Sequence, residues 1–247
     1  MKTVASKIGL SPGKQLLSRR EKMLLTAIVV YSFIPTFGGL LRLVDLANGS
    51  SMLPDNLRAL SAPLPIVLHI LSSFVFCIFG AVQFLPSIRR NQPDMHQMVG
   101  RFVAIAGCVS AATGLWMTVY FVFPAELQGS LLYVARIVLG IAMIGCIFRA
   151  LVAIRSKNVP QHSAFMLRAY AIGQGASTQA FLGIGWMVFT QTELSGALRD
   201  VQMVFAWVLN LMVAELLIRK RLPPRRFQTP GADAARARTQ SHPITVK

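Results

Sequence analysis

The feature that most restricts this chain is a recurrence of apolar runs, each about as long as a bilayer is thick. Six stretches qualify: Met23–Val44, Leu64–Leu85, Val99–Phe123, Leu131–Ile154, Ala164–Phe189 and Val201–Ile218. A helix rises about 1.5 Å per residue, so about 20 apolar residues cross the hydrocarbon core. Inside it, every backbone polar group must be satisfied by the chain itself. The pattern predicts an all-α fold, a polytopic membrane helix bundle with six transmembrane helices. Composition agrees: 54% of the 247 residues are hydrophobic and 14% are charged, against about 25% charged in a soluble domain.

The net charge of +16 would suggest nucleic acid in a soluble chain, but its distribution points elsewhere. Twenty of the 25 Lys and Arg fall in four places: residues 1–22, the loop after the second span (Arg89, Arg90, Arg101), the loop after the fourth (Arg155, Lys157, Arg168) and the segment from Arg219 onward. The three alternate loops hold Arg58 and Arg199 beside Asp45, Asp55, Glu126, Glu193 and Asp200. This is the positive-inside asymmetry. It predicts a bacterial inner-membrane protein with both termini cytoplasmic, anionic lipid headgroups as partners of the basic ends, and no nucleic acid. The organisation expected is a basic cytoplasmic leader, 1–22, a six-helix domain, 23–219, with its core at about 63–190, and a basic disordered tail, 220–247. The first span is not a cleavable signal peptide, because its basic region and its apolar run are both too long. Cys77, Cys108 and Cys146 lie inside spans without CxxC spacing and read as small packing residues.

One motif occurs twice where a polar loop becomes an apolar helix. Arg90-Asn91-Gln92-Pro93 leads to His96, Arg101 and Gly107; Lys157-Asn158-Val159-Pro160 leads to His162, Arg168 and Gly173. Superposing Pro93 on Pro160 places His69 on Arg136. The second to fifth spans therefore read as two related hairpins, each with an ionisable residue near one end of its first helix and a His at the opposite end of its second. Small residues recur on helical stripes from each His: His69, Ser73, Phe76, Gly80, Gln83; His96, Gly100, Val103, Gly107, Ser110, Gly114; His162, Met166, Ala169, Gly173, Ala176. Such stripes let helices, or a flat ligand, approach closely.

Ionisable residues inside a membrane are functional candidates. His96 and His162 lie at one depth and could ligate a haem b iron, with Arg101 and Arg168 on its propionates. That would make the chain a b-type haem or quinone-linked redox protein with a redox partner. Equally, with Asp94 capping the third helix, the two imidazoles serve as interhelical or headgroup hydrogen-bonding groups. His69 and Arg136, with Gln83 and Gln179, form the alternative site: a polar cavity for a small molecule or anion, as in a transporter or membrane sensor. The bland reading of that pair is an interhelical hydrogen bond and a snorkelling arginine. Glu215 is expected to pair with Arg219 one turn on. There is no GxSxG, HExxH, P-loop or dinucleotide fingerprint, and zinc hydrolysis lacks ligands.

The run Gly80-Ala81-Val82-Gln83-Phe84-Leu85-Pro86, then Arg89, Pro93, His96 and Gly100-Arg101, and later His162 with Met166-Leu167-Arg168-Ala169-Tyr170-Ala171, resembles a bacterial family of predicted membrane proteins, domain of unknown function 2306. The resemblance covers roughly residues 60–185 and implies the helical architecture and the motif positions. Phe165 stands where that family usually has Trp, and Gln179 lies near where it usually has Arg. A weaker likeness is to b-561-type cytochromes, which imply His pairs between helices 2 and 4 and between helices 3 and 5. The second of those pairs is matched here, whereas Arg136 replaces one ligand of the first.

Overall fold

The computed structural model describes residues 17–48 and 60–221. Most of the expected 1–22 leader, most of the polar loop after the first span and nearly all of the expected 220–247 tail lie outside the described residues. Those described form eight α-helices and no strand: α1 (Arg19–Asn48), α2 (Pro63–Gln83), α3 (Pro86–Asn91), α4 (Pro93–Tyr120), α5 (Ser130–Arg155), α6 (Val159–Gly173), α7 (Gly175–Thr190) and α8 (Gly196–Arg221). Five of them, α1, α2, α4, α5 and α8, are each long and apolar enough to cross a membrane.

The sequence sets most of the helix starts. Prolines open α2, α3 and α4, where a missing N–H costs nothing and the fixed φ suits a first turn. The Asn158 side chain caps α6, accepting from Gln161 N at 3.2 Å. The expected cap of α4 is corrected: Gln92 holds the cap position and Asp94 sits inside the first turn, where its charge favours the helix dipole. Helix α3 interrupts what reads in the sequence as a plain loop. Its Ser87 is tied to Glu21 of α1 through Ser87 N and Oγ, at 2.7 and 2.6 Å.

Four helices form a ring. α2 packs along α4, α4 along α5, α5 along α6, and α6 returns to α2. The hairpins α2/α4 and α5/α6 are thus the two halves of the core, with α1 against α2, and α8 against α5 and α6. Ring neighbours share a side, so α2 lies diagonal to α5 and α4 diagonal to α6. Phe76, Val103, Ile147 and Tyr170 are buried between them. Phe76 is 1% exposed, and its ring lies where methyl groups on Gly107 or Gly173 would stand, 2.6 Å from either. These two glycines are what admits the ring.

The fifth expected span is not one helix, a correction to the continuous Ala164–Phe189 reading. It is two end-to-end pieces of 15 and 16 residues that meet at Gln174. Together they reach about 46 Å at ~1.5 Å per residue, enough for a further crossing. α6 packs in the ring, whereas α7 packs chiefly on α1 and α8. The carbonyls next to the break find other donors: Trp207 Nε1 donates to Ile172 O at 3.1 Å, and Asn210 Nδ2 to Ala171 O at 3.3 Å. Cys77 Sγ reaches Gly173 O at 3.9 Å. The buried Gln174 amide is tied to Ser32, Tyr170 and Ser177. The Trp207 indole occupies the place of any side chain at position 175, so only Gly175 lets α8 close over the break.

Candidate functional site

Where α7 turns away from the ring, a cavity of about 490 Å³ opens, lined by residues of α1, α2, α4, α5, α6, α7 and α8. His69 of α2 and Arg136 of α5 both line it, brought there from diagonal helices. Most of the wall is apolar, and Trp207 and Met143 are part of it. This is the composition of a small-molecule pocket: an apolar body and a few placed polar groups.

The polar groups differ in what they have left to offer. His69 Nδ1 lies 2.9 Å from Ser110 O and 3.2 Å from Thr113 Oγ1. A carbonyl oxygen only accepts, so Nδ1 carries the hydrogen, and Nε2 is left with no partner among the described residues. The Ser73 and Ser110 hydroxyls share one hydrogen bond of 2.7 Å. Gln179 donates to Met203 O at 3.1 Å and so lines the cavity with its amide already engaged. Arg136 donates to the Gln128 side-chain carbonyl and lies over the Phe123 ring, 5.3 Å from its centroid. Among the described residues no carboxylate comes within ion-pair distance of it. The nearby Asp200 is engaged elsewhere, accepting from Gly129 N and Leu132 N, each at 3.1 Å, which caps α5.

The opposite end of the ring is built differently. His162 Nδ1 faces Ala150 O at 2.9 Å, which binds the imidazole to the partner helix of its own hairpin, as His69 is bound in the other. His96 stands on the diagonal helix. Among the described residues its Nδ1 is buried without a hydrogen-bond partner, as is Nε2 of Gln83. Arg168 is held by Glu215 in a two-pronged pair, with Nη2 to Oε2 at 3.0 Å, and it stacks on Phe165. Glu215 therefore takes Arg168 as its partner, not the expected Arg219.

Side chains of the chain itself cover several glycines of the small-residue stripes. Gln83 lies over Gly100, with Oε1 3.2 Å from where a methyl would stand; Phe76 lies between Gly107 and Gly173; Tyr170 lies against Gly80, and His69 against Gly114. Arg168, expected on a propionate, is paired with Glu215. Gln83, expected with the cavity group, lies at the His96 end and does not line the cavity. Arg101 is in the same turn-and-a-half of α4 as His96, exposed. Sequence reasoning missed Ser110 O and Thr113 as the partners that fix His69, Asp200 as the cap of α5, and Trp207 as the plug of the break.

Among the described residues no group of three or more His, Cys, Asp or Glu could hold a metal ion. No curated protein and no solved structure matches the chain significantly. One family does: its sequence profile covers residues 66–218, which takes in α4 to α7 and nearly all of α2 and α8, with His69 and Arg136 but without the α1 side of the cavity. The chain belongs to the predicted membrane protein family DUF2306.

Proposed function

We propose that this membrane protein binds a small amphipathic molecule within the bilayer, its polar head between His69 and Arg136 and its apolar part along the cavity wall, in a transport or sensing role. The observation that carries this reading is the convergence of the two residues, from diagonal helices, on one cavity beside a broken helix. Non-helical backbone at membrane depth is tolerated where it is buried or lines a cavity, and discontinuous helices accompany binding sites in transporters. A guanidinium remains charged and favours an anionic or carbonyl head. In the orientation given by the basic ends, the site lies nearer the non-cytoplasmic face of a bacterial inner membrane, with both termini inside and anionic headgroups at those ends.

The test is ligand-induced thermal stabilisation of the purified protein in nanodiscs, screened with decanoate, 1-decanol and a short-chain quinone. Stabilisation by at least one of them that disappears in Arg136→Gln is expected. Equal stabilisation of wild type and variant by every active compound sinks the proposal.

A redox role at the other end has one observation in its favour: among the described residues the buried His96 Nδ1 and Gln83 Nε2 have no hydrogen-bond partner, capacity that a headgroup such as that of a quinone would use. An absorption spectrum after expression with added haem tests the haem form of that role. The expected result is no Soret band.

A further inference from the structure

We infer that the ligand of the His69–Arg136 cavity is an amphipathic weak acid, a monocarboxylic acid with a medium-length alkyl chain, and that it is bound together with one proton. The inference rests on the binding role proposed above and narrows it to one chemical class.

The argument is one of matching donors and acceptors. The hydrogen on Nδ1 of His69 is fixed by Ser110 O at 2.9 Å. The neutral imidazole therefore presents a lone pair at Nε2. Arg136 presents only donors. A head that satisfies both must offer an acceptor to the guanidinium and a hydrogen to the imidazole. A quinone offers two acceptors, so its carbonyl would meet the Nε2 lone pair. An alcohol offers a hydrogen but is too weak an acid to pass it to the imidazole and become an anion beside the half-buried guanidinium, with which no carboxylate pairs among the described residues. A carboxylic acid supplies both on one head. The mostly apolar remainder of the 490 Å³ cavity takes the chain.

Proton accounting follows. The acid O–H either donates to Nε2 or passes its proton there. In the second case one O–H bond breaks and one N–H bond forms, leaving a carboxylate between imidazolium and guanidinium. Either way the complex carries one proton more than the free carboxylate and the neutral imidazole. The elements packed against α2 bring few other candidates. α1 has Tyr31, bonded to Thr178, and the Arg42–Asp45 pair. α4 has Cys108 and Tyr120, and α6 has Tyr170, whose hydroxyl donates to Cys77 O. The α3 arginines Arg89 and Arg90, with His96, Arg101, His162 and Arg168, are at the far end. Of the charged groups named here, Arg136 is the one that shares the cavity with His69.

The experiment uses the full chain in nanodiscs, with Trp116→Phe and Trp186→Phe so that emission comes from Trp207 in the cavity wall. Quenching by 10-bromodecanoate is titrated at several pH values, with 10-bromodecanol and a brominated short-chain quinone as controls. Saturable quenching by the acid is expected to weaken about tenfold per pH unit between pH 7 and 9, the linkage slope for one proton. That dependence should disappear in His69→Gln. Tighter binding of the alcohol or the quinone, or acid binding of the same strength across that pH range, overturns this inference and leaves the cavity's binding role standing. Absence of saturable quenching by all three overturns both.

Discussion

At one end of the four-helix ring His69 and Arg136 face open space. At the other, His96 and His162 stand above a core that Phe76 and Tyr170 fill. Both ends were reached by the same sequence pattern, an ionisable pair on diagonal helices with small residues beneath. The difference comes from Gln174. On the α6 side the fifth span stays in the ring and its glycines are covered by aromatic rings. On the α7 side it leaves for α1 and α8, and the volume it gives up is the cavity. A stripe of glycines therefore records close approach, and says nothing about whether the visitor is a ligand or a neighbouring side chain.

The largest effect expected from breaking this contrast is at the filled end. Phe76→Ala removes a buried ring and should destabilise the protein by about 3–5 kcal/mol, read as a lowered unfolding midpoint in graded detergent denaturation. A loss under about 1 kcal/mol would mean that the filled end is as loose as the open one. Next comes Asp200→Ala, which strips the acceptor from two amides at the start of α5; a cost of about 1–3 kcal/mol is expected, with wild-type stability refuting the cap. Arg136→Gln should change stability by less than about 1 kcal/mol, since no ion pair is lost, while abolishing ligand-dependent stabilisation. The smallest effect is assigned to Glu215→Gln. Its side chain and that of Arg168 are 38% and 29% exposed, so after solvent screening the pair is worth under about 1 kcal/mol. A larger loss would make that end dependent on its charges.

Much of this architecture could be read from the chain. Length and apolar content delimit the spans, and superposing Pro93 on Pro160 finds the two hairpins and sets His69 against Arg136. The break at Gln174 could not be read, because Gly173, Gly175 and Ala176 continue a small-residue pattern that a straight helix also satisfies. What bends the path is Trp207 and Asn210, more than 30 positions away, and one sequence carries no sign of that pairing. Partner choice was hidden for the same reason: Glu215 has Arg219 one turn away in sequence but meets Arg168 across the helices. Gln83 and Gln179 look alike on paper; tertiary packing sends only Gln179 to the cavity.

The capped break also has a bearing on biogenesis. α6 and α7 are made before α8, yet the donors for Ala171 O and Ile172 O, Asn210 and Trp207, belong to α8. An unsatisfied carbonyl in hydrocarbon costs several kcal/mol. During synthesis the fifth span is thus best inserted as one straight helix, and it acquires its break only when the last helix docks. A chain truncated before residue 196 should therefore insert but lack the cavity. Protease protection of the inserted spans, with no ligand-dependent stabilisation, would be its signature.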